Sequence, residues 1–214
     1  PISRADGGVR LYPRTDTNMG LGGTPSGEFD ISDAELDRIT TTGTLTIGND
    51  KTHNVVIDGF TYGRTQHMEI FANATTADIG NIIYSTTASS TNGSLDLHAQ
   101  EGITIDANLT TKGNTFIDAD VNDNGVGDLT IGTGDALNTQ NYRLDIYAND
   151  YHSLGTIRSG TAATYIIPSD GAINDASIGI GNTARDFTID PDEFQGIIAT
   201  NLFVGDITTG HIIV

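Results

Sequence analysis

The chain has 214 residues and a formal net charge of −18, because it carries 28 acidic side chains against 10 basic ones; it has no cysteine. Such a chain lacks the clustered Lys and Arg that bind nucleic acid or an anionic membrane, so we expect neither partner. The absence of cysteine excludes disulfides, thiolate zinc sites and cysteine nucleophiles. No apolar run reaches the roughly 18 residues of a transmembrane helix, which predicts no membrane insertion.

The composition predicts an all-β protein. Asp, Asn, Gly, Thr and Ser are abundant, whereas Lys, Glu, Gln and Leu, which favour helices, are scarce. In chain order, short segments with alternating apolar residues, bordered by Gly, Asn or Asp, predict strands. They lie at residues 44–47, 54–57, 68–71, 81–84, 94–97, 102–105, 114–117, 128–131, 143–146, 164–167 and 186–189. This pattern alone fits a β-sandwich as well as a β-solenoid.

A repeated six-residue word favours the solenoid. It appears as MEIFAN at residues 68–73, LDLHAQ at 95–100 and LDIYAN at 144–149, so its starts are 27 and 49 residues apart. The second gap is close to two periods of about 25 residues, and such spacing is typical of a parallel β-helix with roughly 20–30 residues per turn. We expect the alanine of each word to lie in the interior.

A second, longer repeat divides the chain. The matching segments are 19–22 with 178–181, 29–39 with 187–197, 45–48 with 202–205 and 55–56 with 212–213, at offsets of 157 to 159. The chain therefore has three predicted parts: an N-terminal segment leading into the solenoid at residues 1–28, one long repeat at 29–186 and the opening of a second copy at 187–214.

The stretch at residues 32–39 predicts a short helical turn that interrupts the solenoid once per long repeat. Ser32 or Asp33 is a suitable N-cap, and the apolar residues that follow are expected to face the core. Glu35 and its equivalent Glu193 lie near the start of the turn. We interpret them as cap or turn hydrogen-bonding groups rather than functional residues.

The last residues predict a contact between neighbouring solenoid units. Ile212, Ile213 and Val214 are apolar and belong to a predicted strand, with no polar cap after them. A solenoid needs polar terminal caps to stay unpolymerised. Two interpretations stay open: the chain is an excerpt from a longer repeat array, or it is a subunit that stacks end-to-end on itself.

Residues 120–128 match the first part of an EF-hand-type calcium loop, D-x-[DN]-x-[DN]-G. Such a loop needs oxygens at alternate positions, a backbone carbonyl at the seventh and a further oxygen at the ninth. The candidate ligands are Asp120, Asn122, Asn124, Val126 and Asp128. The twelfth position is Ile131 instead of the usual Glu, and the alternative is an ordinary Asp/Asn/Gly turn. Calcium is the one cofactor that the sequence predicts.

Other chemistry has little support in the sequence. The five histidines are scattered singly without HxH or HExxH spacing, and residues 20–23 lack the lysine of a phosphate-binding loop. The alternative function is a carbohydrate-active β-helix enzyme, a polysaccharide lyase or hydrolase, with carboxylates converging on a groove. Two lysines and no tryptophan disfavour that alternative. The sequence therefore predicts a protein that is not an enzyme.

The segments at residues 31–39, 43–48, 95–105 and 119–132 resemble the repeat region of giant filamentous-haemagglutinin-like surface proteins of bacteria. The resemblance implies a secreted, right-handed parallel β-helix that works as a stalk, surface filament or adhesin at the cell surface. It also implies contacts with neighbouring repeats and makes cell-surface glycans candidate partners. The secretion domain of that family has no counterpart here, and residues 1–16 match no part of its pattern.

Overall fold

The structure, a computed structural model, is mostly β. It describes residues 2–4 (backbone only), 7–75, 79–169, 176–207 and 209–214. Within these residues it contains 24 strands and two short helices. The strand pairs formed by this part of the chain are all parallel, and two long sheets of 7 and 12 strands curl around one hydrophobic core.

The strands are short and follow one another closely along the chain. In order they are β1 (Ile2–Arg4), β2 (Val9–Leu11), β3 (Thr17–Gly22), β4 (Phe29–Ser32), β5 (Ile39–Thr41), β6 (Leu45–Ile47), β7 (Thr52–Asp58), β8 (Thr61–Tyr62), β9 (Met68–Ala72), β10 (Asn81–Tyr84), β11 (Ser89–Thr91), β12 (Leu95–Ala99), β13 (Gly102–Ile105), β14 (Leu109–Thr111), β15 (Thr115–Asp118), β16 (Asp128–Ile131), β17 (Ala136–Asn138), β18 (Leu144–Ala148), β19 (Tyr151–Ser153), β20 (Thr156–Pro168), β21 (Ile178–Ile180), β22 (Phe187–Ile189), β23 (Ile197–Val204) and β24 (Ile212–Ile213). The helices are α1 (Asp33–Leu36) and α2 (Pro191–Gln195).

The chain visits the sheets in a fixed order. The seven-stranded sheet has the order β19-β16-β13-β10-β7-β3-β4, and the twelve-stranded sheet has two arms that meet in the long strand β20. One arm runs β2-β6-β9-β12-β15-β18-β20 and the other β20-β17-β14-β11-β8, with β23 added beside β20. From β7 to β18, each circuit of the chain places one strand in the seven-stranded sheet and one in each arm. This path is consistent with a parallel β-helix.

Paired positions show how much chain each circuit uses. Along the first arm the residues that pair in succession are Leu45, Met68, Leu95, Thr115, Leu144 and Thr164. Their separations along the chain agree with the expected period of roughly 20–30 residues per turn. The circuits from Val9 to Leu45 and from Thr164 to Leu202 are longer than this period. Each of these longer circuits contains one helix.

The three six-residue words occupy equivalent positions. β9, β12 and β18 carry them, and β15 lies between β12 and β18, which accounts for the double gap between the second and third words. The word alanines Ala72, Ala99 and Ala148 are fully buried, and Ala72 pairs with Ala99. The expected interior position of these alanines is confirmed.

Aliphatic side chains two residues earlier in each strand form a continuous stack. The paired residues are Ile47, Ile70, Leu97, Ile117, Ile146 and Ile166, and all are fully buried. Burial of each such side chain contributes about 1.5–3 kcal/mol to stability. The stack is therefore a main stabilising element of the fold.

The strands β8, β11, β14 and β17 of the second arm were not predicted, and in β11 and β14 serine or threonine takes an inward position. Thr91 in β11 and Thr111 in β14 are buried, and each hydroxyl donates a hydrogen bond to the carbonyl of the glycine two residues later, at 3.3 and 3.5 Å. These glycines, Gly93 and Gly113, lie so close to the backbone of the preceding circuit that a Cβ would clash. The hydrophobic alternation that marks a strand is lost at this corner.

The expected helical turn is confirmed at both of its positions. In α1, Glu35 Oε2 accepts hydrogen bonds from the backbone amide and hydroxyl of Ser32, at 3.0 and 2.8 Å. In α2, the Asp190 carboxylate accepts from the Glu193 amide while Glu193 accepts from the Asp190 amide, both at 2.9 Å, which is a reciprocal capping box. Leu36 is fully buried, as the expected core-facing position requires.

The two ends of the long repeat form the same strand pairs. β3 pairs with β4 and β7, and β21 pairs with β22 and β24. The equivalent contacts are Met19 with Phe29 and Val55 in the first copy, and Ile178 with Phe187 and Ile212 in the second.

Candidate functional site

The first arm of the twelve-stranded sheet presents one face to solvent, and we call it the outer face. Its side chains alternate with the buried stack, so they lie in rows with one residue per strand. The first row is Arg10, Thr46, Glu69, Asp96, Phe116, Asp145, Tyr165 and Phe203. The second row, two residues further along each strand, includes Phe71, His98, Asp118 and Tyr147.

Aromatic rings stack along the middle of the outer face. The distances between ring centroids are 4.6 Å for Phe71 and His98, 5.5 Å for His98 and Phe116, and 5.4 Å for Phe116 and Tyr147. Such separations are typical of favourable ring pairs. Burial among the rings lowers the pKa of His98 and so favours its neutral form.

One carboxylate of the outer face is neutralised by a cation. Arg143 donates hydrogen bonds from Nε and Nη2 to Asp145, at 2.7–2.9 Å. The same guanidinium lies over the ring of Tyr165, 4.1 Å from its centroid, and Tyr165 stacks on Phe203 at 4.6 Å. The charge of Asp145 is therefore matched by a bidentate partner.

Two other carboxylates of the outer face have no Arg or Lys partner within the part of the chain that the structure describes. Burial raises the pKa of Asp96, and the neighbouring His67 opposes the rise. Burial also raises the pKa of Asp118 to about 6, and the nearby carboxylates of Asp123 and Asp120 add to the effect. The outer face thus carries two acidic side chains whose negative charge, when they are ionised, is only partly balanced by nearby positive charge.

A groove opens at the start of the outer face, over β6. On one side of Phe71 lies the ring of His98, on which it stacks. On the other side the residue after the end of β6 is Gly48, which has no side chain to cover the ring. The groove has a volume of about 430 Å³, and its rim includes Arg10, Tyr12 and Glu69. A half-buried aromatic ring with charged and amide groups around it can bind a polar, partly apolar ring such as a sugar.

A histidine and two carboxylates converge next to the groove. Among the described residues, His67, Glu69 and Asp96 form the one group of three or more His and acidic side chains whose ligand atoms all lie within 4.8 Å of one another. Glu69 and Asp96 are paired across β9 and β12, and His67 precedes β9. Thr46 donates a hydrogen bond to Glu69 Oε2 at 3.0 Å.

The predicted calcium loop is closed by its own hydrogen bonds. Asp120 is fully buried, and its carboxylate accepts from the amides of Asn124 and Gly125, both at 3.1 Å, and from the Ser169 hydroxyl at 2.8 Å. Asn124 Oδ1 accepts from the Val126 amide at 2.8 Å. These contacts are those of the alternative Asp/Asn/Gly turn.

The remaining candidate ligands lie at the surface or have another partner. Asn122 and Val126 are exposed. Asp128 begins β16 and accepts from the Asn149 side chain at 3.0 Å. Calcium binding at this loop stays a prediction.

A second histidine lies among acids at the junction between the two copies of the long repeat. His152 Nε2 is 3.4 Å from Asp128 and 3.8 Å from Asp150, and its Nδ1 is 3.9 Å from Glu193. Burial raises the pKa of Asp150 and of Glu193. Since these residues belong to β16, β19 and α2 or their borders, the contacts connect successive circuits.

The candidate interface residues at the end of the chain lie on the surface. Ile212, Ile213 and Val214 are 50%, 36% and 90% exposed. Beside β2 and β4, at the other edge of the two long sheets, an apolar groove of about 310 Å³ is lined by Leu11 and Phe29, among others. The contact of these surfaces with another unit stays a prediction.

Comparison with known proteins gives no relative from which a function could be inferred: no family model matches the chain, and no curated protein or solved structure is significantly similar. The resemblance to filamentous-haemagglutinin-like proteins therefore rests on the sequence words alone. None of the helices formed by the described residues is both long enough and apolar enough to cross a bilayer.

Sequence reasoning missed the group at His67, because Asp96 lies a full circuit further along the chain. The signal was present in the repeated word. Aligning MEIFAN with LDLHAQ places Glu69 opposite Asp96, and His67 precedes the first word directly. In a parallel solenoid such aligned residues become neighbours.

Proposed function

We propose that the chain is a segment of a right-handed parallel β-helix that serves as a stalk or surface filament of an extracellular, adhesive protein without enzymatic activity. The main observation that supports this proposal is that the strands pair in the same way at both ends of the long repeat. Because β21 pairs with β22 and β24 as β3 pairs with β4 and β7, and β23 adds to the twelve-stranded sheet, each further repeat can add strands in the same arrangement. The resulting rod resembles the filamentous-haemagglutinin-like repeats.

The mechanical role follows from the stacked core. Backbone ladders join each circuit to the next, and the aliphatic stack runs through all of them. Solenoid stability is approximately a sum of such neighbour contacts, so rod length can grow without a new core. The acidic surface, with a net charge of −18, keeps the rod hydrated.

End-to-end contact is the first test of the proposal. We propose that Ile212, Ile213 and Val214 meet the next repeat or a second copy. Electron microscopy and sedimentation should show rods or filaments whose length grows with protein concentration, and Val214→Glu should shorten them. Leu154→Glu is the matched control, since Leu154 is also strongly exposed, at 74%, but follows β19 and lies outside the last strand. Equal assembly of both variants would refute the end interface.

The adhesive role is assigned to the groove beside Phe71. An aromatic ring with Arg10, Glu69 and amide side chains around it suits a sugar ring, and we propose cell-surface glycans as partners. A glycan array should give binding that Phe71→Ala or Arg10→Ala abolishes. Phe203→Ala, which changes an aromatic residue at the far end of the outer face, should leave that binding intact. If no glycan on the array binds, the adhesive part of the proposal is refuted, whereas the proposed role as a rod is unaffected.

A polysaccharide lyase or hydrolase is the second candidate function. Glu69 and Asp96 lie directly opposite each other on β9 and β12, with Glu69 on the rim of the groove, and a pair of carboxyl groups is the catalytic equipment of most glycosidases. The test is a turnover screen on acidic and neutral polysaccharides. Product formation that Glu69→Gln abolishes would establish the enzyme and displace the non-enzymatic proposal.

A further inference from the structure

We propose that His67, Glu69 and Asp96 form a binding site for a divalent transition-metal ion, of which Zn²⁺ is the representative. The site lies on the outer face between two successive circuits, and it is distinct from the predicted calcium loop. An imidazole nitrogen with two carboxylate oxygens is a ligand set that Zn²⁺ accepts.

The distances within the group are those between ligands of one metal ion. His67 Nε2 lies 3.3 Å from Asp96 Oδ2 and 3.6 Å from Glu69 Oε1. Both exceed the usual hydrogen-bond range of about 2.7–3.2 Å. Ligands bound about 2.05 Å from a tetrahedral zinc ion lie about 3.3 Å apart. The His67 Nε2 nitrogen therefore lies at about the distance from each carboxylate that separates two ligands of one metal ion. It has no hydrogen bond of normal length to either carboxylate.

The backbone holds the three side chains in place. Parallel pairing sets Glu69 directly opposite Asp96, and His67 lies two residues before Glu69 on the same face. Thr46 donates a hydrogen bond of 3.0 Å to Glu69 Oε2, so that Oε1 is the oxygen that faces His67. A partner of this kind orients a metal ligand and fixes which oxygen it presents.

Charge gives an independent reason for a cation at this position. Like charges directly opposite each other in a sheet are destabilising. At the equivalent place in the third word, Asp145 has the guanidinium of Arg143 as a bidentate partner. Among the described residues, Glu69 and Asp96 form ion-pair contacts with one imidazole, that of His67, so the pair keeps an excess negative charge that a divalent ion would neutralise. All three side chains are accessible, with 27–35% of each exposed.

Such an ion would bridge β9 and β12, and its open coordination positions would face solvent. It would thus join two adjacent circuits. The second histidine among acids, His152, provides no such group, because its neighbours do not bring three ligand atoms within 4.8 Å of one another in the described structure.

The test is titration of the full chain with Zn²⁺ by calorimetry in about 0.15 M NaCl, where loose binding to surface charge is screened. We expect saturable binding of one ion per chain. Since loss of a mere supporting group costs about 10–100-fold in metal affinity, His67→Gln and Glu69→Gln should each weaken binding at least that much. Co²⁺ bound at the same site should show visible absorption bands that His67→Gln removes.

Two control variants make the result specific. His152→Gln removes another histidine surrounded by acids, and Asp145→Asn removes the equivalent acid of the third word. Both should bind Zn²⁺ as the natural chain does. Absence of Zn²⁺ binding by the natural chain, or equal affinity in all four variants, would overturn the proposal. Thermal melting of each variant without metal checks that it is folded.

Discussion

Glu193 accepts a hydrogen bond from the backbone amide of Ser153, 40 residues earlier in the chain, at 3.1 Å. Its second oxygen accepts from the Asp190 amide at 2.9 Å and so caps α2. One buried carboxylate therefore closes a local turn and attaches it to β19 in the preceding circuit. The carboxylate of its equivalent Glu35 accepts hydrogen bonds from Ser32 within its own turn, and Glu35 is exposed.

The two glutamates should differ in their effect on stability. Glu193→Ala leaves the amides of Ser153 and Asp190 without their acceptor, and the loss of such a buried partner costs about 1–3 kcal/mol. Glu35→Ala should cost less, because water can replace an exposed acceptor. Urea unfolding of both variants measures the difference. A larger loss from Glu35→Ala would contradict the assigned role of Glu193.

Asp118 should make stability depend on pH. Burial raises its folded-state pKa from 3.8 to about 6, so its favourable contribution is present below pH 3.8 and is lost as pH rises through about 6. Asp118→Asn removes the cost of the buried charge. The pKa rise corresponds to at most about 3 kcal/mol, and solvent screening lowers the expected gain at pH 7.5 to about 1 kcal/mol.

Melting temperatures of the natural chain and Asp118→Asn between pH 4 and 7.5 measure this effect. The two curves should lie close together near pH 4, separate as pH rises from about 4 to 6 and stay apart at a constant difference above that, with the variant more stable. Asp58→Asn is a control of opposite sign, because hydrogen bonds from Thr24, Thr86 and Thr87 lower the Asp58 pKa to about 2. The contribution of Asp58 is therefore lost only as pH falls through about 2, and its variant should be less stable at neutral pH.

Close contact between circuits should make Gly113 intolerant of a side chain. A Cβ at this position would lie 2.4 Å from Ser94 N and 2.6 Å from Gly93 C. Gly113→Ala should therefore cost about 1–3 kcal/mol, which is typical of overpacking. Gly63→Ala is the matched control, since a Cβ there meets no atom within 4 Å. Equal denaturant midpoints for the two variants would show that the circuits are not packed as described.

The stability of the protein should depend on the Asp120 carboxylate, which begins the predicted calcium loop, even without metal. Asp120→Ala leaves the Asn124 and Gly125 amides and the Ser169 hydroxyl without their acceptor. We expect a loss of about 2–4 kcal/mol in EDTA, measured by urea unfolding.

The predicted calcium site would appear as a higher melting temperature of the natural chain in calcium, an increase that Asp128→Asn abolishes. Equal melting temperatures of the natural chain in calcium and EDTA would refute that site.

The sequence by itself determined the β composition, the spacing of circuits and the position of the capped helical turns. These features are encoded locally, since inward aliphatics alternate along each strand and Gly, Asn and Asp mark the turns. The repeated word also fixed the register of β9, β12 and β18. The alanines of the word are buried because the same local pattern recurs at each turn.

The repeated word indicates that Glu69 lies opposite Asp96, but only the tertiary structure decided which other side chains join them. It places His67 beside both carboxylates and Phe116, from a strand without the word, between Asp96 and Asp145. It also decided that Asp120 turns inward to its own loop instead of outward, and that Glu193 reaches Ser153. These contacts depend on how successive circuits pack on one another, which no local pattern specifies.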